Sequence, residues 1–490
     1  MIPPPAVLLL AAGQGKRMKS VLPKVLHEIC GEPLLIPILR SIDSAFGTDA
    51  VSVNVGIIVG HGREKVEAAV RSAVKEDPTL RHLKVDFILQ AEQKGTGHAV
   101  HSAMESTWGS LRLKEKANVL VLPGDSPLIP PALVGEIGRP LEKNTAIRLL
   151  TCDVPDPRGY GRVLRLGFKA AGKVKRIVEE KDASPRERKI TEVAASIYLF
   201  QSTFLANFLP KLTTKNAQGE YYLTDLIEWA GKGTAASRTK VSTLAWANAE
   251  DLRGVNDLWE LSLAERALQL RLIERHARNG VRFLDPSSVA IEASVVIGER
   301  VRIERGAILR GHTTIGNDVE IGSNVVLKNM RIGNSVELKT GSYCLDSVVE
   351  SGAKIGPYAH LRPDSLVGKG AKIGNFVELK KSKIGENTSI AHLSYVGDAA
   401  IGARVNIGCG FITCNFDGRS KKGSRKHETV IEDDAFIGSD CQTVAPVKVG
   451  RGAYVASGST ITLDVEAGSL AIARSRQENK IGYAKKFRPE

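Results

Sequence analysis

Tryptophan and methionine occur four times each in 490 residues, and aromatic side chains make up only 5%. With so few rings and basic residues spread along the whole chain, a nucleic-acid surface built on stacked bases is not expected. No apolar run is long enough to span a bilayer, so no membrane insertion is expected. Cysteine is sparse too. Cys30, Cys152, Cys344, Cys409, Cys414 and Cys441 stand apart without a Cys-x-x-Cys pair, which suggests neither a zinc site nor a disulfide framework. The opening Met1-Ile2-Pro3-Pro4-Pro5 lacks the basic segment of a secretory signal, and a cytoplasmic location with reduced thiols is the expectation.

What the chain does have is glycine, 47 residues against 12 phenylalanines, the mark of something turn-rich and repetitive. Its 42% hydrophobic and 25% charged residues are those of a folded chain, and its length suggests two to four domains. The formal net charge of +14 suits phosphorylated, anionic small-molecule substrates.

From Ala6 to about Phe200, short apolar runs alternate with longer amphipathic stretches. The runs are Val7–Leu10, Gly56–Val59, Val85–Leu89, Val119–Leu122, Ile147–Cys152 and Ile197–Phe200. This is the pattern of a Rossmann-like α/β domain with a largely parallel sheet, whose ligands bind beyond the carboxyl ends of the strands. Two segments fall at such ends. One is the glycine loop after Leu10, running Ala11-Ala12-Gly13-Gln14-Gly15-Lys16-Arg17-Met18 and followed by Leu22-Pro23-Lys24. Its small residues let backbone N–H groups approach phosphate oxygens, and Lys16, Arg17 and Lys24 supply charge for a departing pyrophosphate. No Gly-Lys-Ser/Thr follows, so the loop is not a P-loop. The other segment is the Pro123-Gly124-Asp125 turn.

Between Leu258 and Arg278, Leu261, Ala264, Leu268 and Leu272 recur at helical spacing before Asn279-Gly280, which predicts a linker helix. Beyond it, aliphatic residues recur every six positions. Ile315, Ile321, Leu327, Ile332 and Leu338 keep the step, as do Val367, Ile373, Leu379, Ile384, Ile390, Val396, Ile401, Ile407, Ile437, Val449 and Val455. A hexapeptide period predicts a parallel β-helix whose coils stack into a prism. Most of its residues are then scaffold.

The ordered motifs resemble one family over nearly the whole chain. These include the glycine loop, Gln90-Ala91-Glu92-Gln93-Lys94-Gly95-Thr96-Gly97-His98-Ala99, Gly159-Tyr160-Gly161-Arg162 and Glu179-Glu180-Lys181-Asp182-Ala183. In the second half they include Gly374-Asn375-Phe376-Val377-Glu378-Leu379-Lys380-Lys381, His392-Leu393-Ser394-Tyr395, Val405-Asn406-Ile407-Gly408 and Thr413-Cys414-Asn415-Phe416-Asp417-Gly418. The set is similar to that of the bifunctional bacterial N-acetylglucosamine-1-phosphate uridyltransferase and glucosamine-1-phosphate acetyltransferase family.

That resemblance implies a uridyltransferase domain at 1–257, a linker helix at 258–279 and a left-handed β-helix acetyltransferase domain at 280–490, assembled as a homotrimer with acetyl sites between prisms. UTP and acetyl-CoA would be co-substrates, Mg²⁺ the metal, and the product a precursor for peptidoglycan and lipopolysaccharide. Asp125 and Asn256 would be the Mg²⁺ ligands, few in number because the ion keeps waters and phosphate oxygens. Leu10, Ala11, Ala12, Gly13, Lys24 and Arg17 would border the triphosphate, Gln90, Gly95 and Thr96 the uracil, Gly161 and Glu179 the sugar. His392 would be the general base of acetyl transfer, with Glu378 expected to polarise it. Arg362 and Lys380 would clamp the sugar phosphate, while Tyr395, Asn406 and Asn415 would orient the sugar. Cys409, Asn415, Phe416, Ser439, Ser457 and Arg474 fall at acetyl-CoA contact positions.

Departures from the family pattern are few. Glu192-Val193-Ala194-Ala195-Ser196 carries alanine and serine where an asparagine and a glycine are usual, removing an amide that would hydrogen-bond the sugar. Ser389 replaces a basic residue, Cys409 an alanine and Phe416 a tyrosine, and Arg419–Lys426 is a basic insertion. Two alternatives remain at this level: a nucleotidyltransferase whose β-helix only oligomerises or regulates, and a β-helix that serves as a protein-binding scaffold.

Overall fold

The computed structural model describes residues 3–166, 172–232, 240–418 and 426–488. The chain divides into two compact units, 1–268 and 269–490, and the boundary falls inside the helix Leu258–Arg278.

Among the described residues the first unit is built on a nine-stranded mixed sheet. Its strands are β1 (Ala6–Leu10), β2 (Val53–Val59), β3 (Leu83–Leu89), β4 (Asn118–Pro123), β5 (Thr145–Asp153), β6 (Gly161–Arg165), β7 (Val174–Val178), β8 (Glu192–Gln201) and β9 (Lys240–Ala245). The spatial order is β9-β5-β8-β4-β1-β2-β3, with β6 pairing to β8 and β7. β3, β2, β1 and β4 run parallel. β1, β2 and β4 are buried on both faces, which is why they read as nearly unbroken apolar runs such as Ala-Val-Leu-Leu-Leu, whereas β3 at the sheet edge exposes Lys84 and Asp86. β8, containing the run Ile197–Phe200, is antiparallel to β4, β5 and β6 and widens the sheet beside the glycine loop.

Helices Leu35–Phe46 and Arg63–Glu76 cover one face, where Leu35, Ile38, Leu39, Ile42, Val66 and Val70 meet Val7, Leu9 and Val55. Thr96–Glu105 and Asp225–Lys232 cover the other, contributing Ala99, Val100, Ala103, Leu226 and Ile227. The helix from Leu258 ends at Arg278, just before Gly280 at φ 92°, a backbone that glycine adopts without penalty.

The second unit is a parallel β-helix with three interior columns. One runs Ile291, Leu309, Leu327, Cys344, Leu361, Leu379, Val396, a second Ile297, Ile315, Ile332, Val349, Val367, Ile384, Ile401, Ile431, Val449, and a third Ile303, Ile321, Leu338, Ile355, Ile373, Ile390, Ile407, Ile437, Val455. All belong to one hydrophobic core. Neighbours in a column lie 17 or 18 residues apart, one coil of three hexapeptides, as in Leu309 to Leu327 and Cys344 to Leu361, except Ile401 to Ile431 and Ile407 to Ile437, which lie 30 apart. Burial pushes the Cys344 thiol up to about 12, so it packs as an apolar residue. The rhythm breaks once, where Ile412 pairs with Gln442 across 30 residues. That coil carries an excursion closed by an antiparallel bridge between Phe416 and Lys426. Residues 419–425 of the basic insertion lie outside the described residues.

Candidate active sites

In the first unit, β1 delivers the glycine loop and β4 delivers the Gly124-Asp125 turn to the same place. The Gly124 amide donates to the Leu10 carbonyl at 2.9 Å, and a Cβ on Gly124 would stand 2.8 Å from that oxygen. The two loops can touch only because residue 124 has no side chain. Lys24 then donates to Asp125 Oδ2 and, at 3.0 Å, to Asn256 Oδ1, while Arg17 Nη2 donates to the same Asn256 oxygen at 2.8 Å. The Lys24 side chain is 12% exposed and that of Asp125 26%. Asn256 is free to do this because Asp257, not Asn256, caps the following helix, accepting from the Glu260 amide at 2.9 Å. Lys16 is exposed on the loop.

Asp125 also forms part of the wall of a cavity of about 350 Å³, lined besides by Leu10, Gly13, Gln90, Gly95 and Thr96, together with Ser196 and Glu220. Gln90 is buried, its amide 3.3 Å from the Gly95 carbonyl and 3.1 Å from His98 Nδ1. Gly95 sits at φ 100°, where a Cβ would come within 2.8 Å of the Tyr221 carbonyl. Only glycine fits both that conformation and that close approach.

Gly161 pairs with Ala194, two residues before Ser196 of the cavity wall, and a Cβ on Gly161 would lie 3.5 Å from Glu179 Oε2. Glu179 accepts from the Thr224 hydroxyl at 2.9 Å. Burial, reinforced by Asp182, Asp225 and Glu220, pushes its carboxyl above the ordinary range. Between Ala194 and Tyr198 the register of β8 against β5 slips, and Ser196 is thrown into a left-handed conformation at φ 56°. For a non-glycine residue this conformation costs about 1–2 kcal/mol.

In the second unit the candidate residues stand on the outside of successive coils. His392 ends the strand Ser389–His392 opposite Asn375, and its Nδ1 is 2.6 Å from Asn375 Oδ1. A carbonyl oxygen only accepts, so Nδ1 carries the hydrogen and Nε2 keeps its lone pair. Glu378 does not reach the imidazole. It accepts from Arg362 Nη1 at 2.8 Å, an ion pair between neighbouring coils that overturns the expected polarising role. Strand alternation puts Glu378 and Lys380 on one face without fixing which side chain of a neighbouring coil lies closer.

Lys380 is held beside Lys426, and that ammonium, with partial burial and Arg362, pulls its pKa below the ordinary lysine value. Asp398 balances this cluster, lying 3.8 Å from Lys426 and accepting from the Asn415 amide. A Cβ on Gly397 would be 2.4 Å from the Tyr395 hydroxyl and 2.8 Å from Asn415 Nδ2, so a bare backbone lets these two side chains converge. Asn406 stands on a different sheet, exposed and in register with Ser389 and Phe436. Cys409, Ser439 and Ser457 follow one another up one edge: the Asp440 amide donates to the Cys409 carbonyl at 2.7 Å, and the Ser439 amide to Ser457 Oγ at 3.2 Å. Arg474 follows, its Cδ 3.8 Å from where a Gly458 Cβ would be.

The family described as MobA-like NTP transferase domain matches residues 7–166, and that described as bacterial transferase hexapeptide (six repeats) matches 294–329, 346–381 and 428–462. Over the full length the chain is 44% identical to "Bifunctional protein GlmU" of Brevibacillus brevis, covering 98% of this chain and 97% of that one. It is 43% identical to the protein of the same name from Enterococcus faecalis, with 98% of each covered, and 42% to that of Caldanaerobacter subterraneus, covering 97% and 96%. The chain belongs to the GlmU family.

Within this GlmU-family chain, the NTP transferase match takes in the glycine loop, Gln90, Asp125 and Gly161 but stops short of Glu179 and Asn256. The hexapeptide matches likewise leave His392, Tyr395 and Asn415 in the interval between them. Reasoning from motifs missed Asn375, Gly397, Asp398 and Lys426. A usable signal was present, since Asn375 precedes His392, and Asp398 precedes Asn415, by the 17 residues of one coil.

Proposed function

We propose that this GlmU-family chain makes UDP-N-acetylglucosamine by two transfers, acetylation of glucosamine 1-phosphate on the β-helix and uridylylation of the product in the α/β unit. The proposed partition is 1–257 for uridylyl transfer, 258–279 as linker and 280–490 for acetyl transfer. The observation that carries the reading is that one chain holds two separate constellations: Lys24, Arg17, Asp125 and Asn256 gathered at an open cavity that Asp125 lines, and His392 with the Arg362, Lys380 and Lys426 cations on the prism.

On the β-helix, the substrate amine attacks the thioester carbonyl of acetyl-CoA. Nε2 of His392 takes the proton that the attacking nitrogen sheds and passes it to the departing thiolate as the C–S bond breaks and the C–N bond forms. Nδ1–H on Asn375 keeps the ring in the tautomer this requires. Arg362 and Lys380 hold the sugar phosphate, and Tyr395, Asn406 and Asn415 orient the sugar. Adjacent coils are spaced about 4.8 Å apart, so Cys409 to Arg474 marks out roughly 14 Å, a suitable track for an extended acyl carrier ending at a cation. Asn406 lies on a different sheet from Tyr395, and this supports a site completed by a neighbouring copy in a homotrimer.

In the α/β unit, a phosphate oxygen of the acetylated sugar attacks the α-phosphorus of UTP and pyrophosphate leaves. Lys24 and Arg17 stabilise the charge that develops, Gln90, Gly95 and Thr96 hold the base, and Gly161 and Glu179 the sugar. Asp125 and Asn256 fit Mg²⁺, because two hard oxygens converge on one point, the Lys24 ammonium that both accept from. Two protein oxygens suit an ion that takes the rest of its shell from phosphate and water. Bound there, it would neutralise the triphosphate. No helix among the described residues is long and apolar enough to cross a membrane.

The test is to follow both half-reactions on purified protein with Mg²⁺. CoA release from acetyl-CoA and glucosamine 1-phosphate, together with pyrophosphate release from UTP and N-acetylglucosamine 1-phosphate, is expected. CoA release absent while pyrophosphate release persists would return the β-helix to a scaffold.

A further inference from the structure

Ser196 is a non-glycine residue in a left-handed conformation, at φ 56°, in the middle of a strand. The slip of β8 against β5 creates this geometry, since four residues from Ala194 to Tyr198 span only the two from Thr151 to Leu149. Such strain persists where surrounding structure imposes it, and it clusters at ligand sites. Its consequence is directional: Ala195 and Ile197 on either side are buried, whereas Ser196 is exposed and forms part of the cavity wall with Gln90, Asp125 and Glu220.

On the side toward Gly161 the chemistry is one-sided. Ala194, two residues earlier, presents a buried methyl group beside Gly161, and Glu179 next to them is an acidic group. An acetamido group on a sugar needs an acceptor for its N–H and a donor for its carbonyl oxygen. Neither Ala194 nor Gly161 has a side chain that donates. A serine hydroxyl can donate and accept. The buried Tyr198 phenol is hydrogen-bonded to the Ser196 side chain and feels the Glu179 charge, so the three groups share one neighbourhood; a hydroxyl that accepts from the phenol keeps its own hydrogen for a ligand.

We infer that Ser196 is a specificity-determining residue of the uridylyl site, its hydroxyl donating to the acetamido carbonyl of the sugar phosphate in place of the side-chain amide that Ala194 lacks. This rests on the uridyltransferase reading above. The strained turn is what aims the hydroxyl into the cavity.

The test uses the full-length protein and its Ser196→Gly and Ser196→Ala variants. Measured by pyrophosphate release, each variant should show KM for N-acetylglucosamine 1-phosphate raised about tenfold, the loss of one hydrogen bond. KM for UTP and for glucose 1-phosphate should stay within about twofold, because neither ligand carries the acetamido group. The glycine variant should also melt at a temperature equal to or above that of the parent, since glycine adopts φ 56° without strain. An unchanged KM in both variants, a rise confined to Ser196→Gly, or a rise in KM for UTP would overturn the inference. A parent protein that releases no pyrophosphate with either sugar phosphate would instead overturn the uridyltransferase reading.

Discussion

In the α/β unit the side chains proposed for phosphate chemistry hold one another. Lys24 bonds Asp125 and Asn256, Arg17 bonds Asn256, and Asp125 lines a cavity formed within that unit. On the β-helix the corresponding side chains decorate the outer surface of a prism whose core is already complete. His392 and Asn406 are exposed, Leu393 is 58% exposed and Phe416 58%. The difference follows from architecture. A twisted parallel sheet ends in loops that can fold over a ligand, whereas stacked coils offer only faces and edges. A site made from coil edges becomes a pocket when another surface closes it, and in the proposed homotrimer a second copy of the chain would supply such a surface.

The sharpest way to break this contrast is a reciprocal pair of substitutions. His392→Ala is expected to lower kcat for acetyl transfer by about two to four orders of magnitude, the usual contribution of a general base, and to leave uridylyl transfer within about twofold. Asp125→Ala should do the opposite, lowering uridylyl transfer by about two to three orders of magnitude through loss of a ligand oxygen and of the Lys24 partner. Initial rates of both half-reactions on each variant decide the matter, and cross-inhibition in either direction would show that the sites are not independent.

A smaller effect is expected from Gly397→Ala. Its new methyl group would fall 2.4 Å from the Tyr395 hydroxyl and 2.8 Å from Asn415 Nδ2. Displacing both should cut kcat/KM for acetyl transfer about ten- to a hundredfold, since positioning errors of an ångström cost on this scale. Uridylyl transfer on the same preparation provides the control.

Glu179→Gln gives the mildest readout, one of stability. Because burial raises the Glu179 pKa above its ordinary 4.5, the folded state favours the protonated form. That stabilisation is fully present below the unfolded value and is lost as pH rises through the folded one, leaving a buried carboxylate to be carried at neutral pH. The variant should therefore melt above the parent near neutrality, and the gap should close on acidification toward 4.5. Thermal melts across that range, with a gap independent of pH, would contradict the assignment.

How much of this was legible in the sequence depends on the range over which each feature is determined. The β-helix core is local and repetitive, so Ile315, Ile321, Leu327 and their successors announce the columns they occupy. Strand ends at Leu10 and Pro123 are equally local, and they bring the glycine loop to Asp125. Asn375 and Asp398 were within reach through the coil length of 17 residues, an arithmetic that links positions without similar residue types. The sheet direction of Ile197–Phe200 and the turn at Ser196 were out of reach, because both are set by the pairing of β8 with β5, and no residue between Ala194 and Tyr198 encodes a register. Likewise Glu378 has the charge and strand face of a partner for His392, yet the long reach of Arg362 from the neighbouring coil claims it.

The most direct measurement is a dilution series on the intact protein in which mass is determined by light scattering and both half-reactions are assayed at each concentration. Acetyl transfer per chain is expected to fall in step with the fraction of trimer, while uridylyl transfer per chain stays level. Acetyl transfer that persists undiminished in monomers would contradict the claim that the β-helix site, unlike the α/β site, is completed only by a second copy.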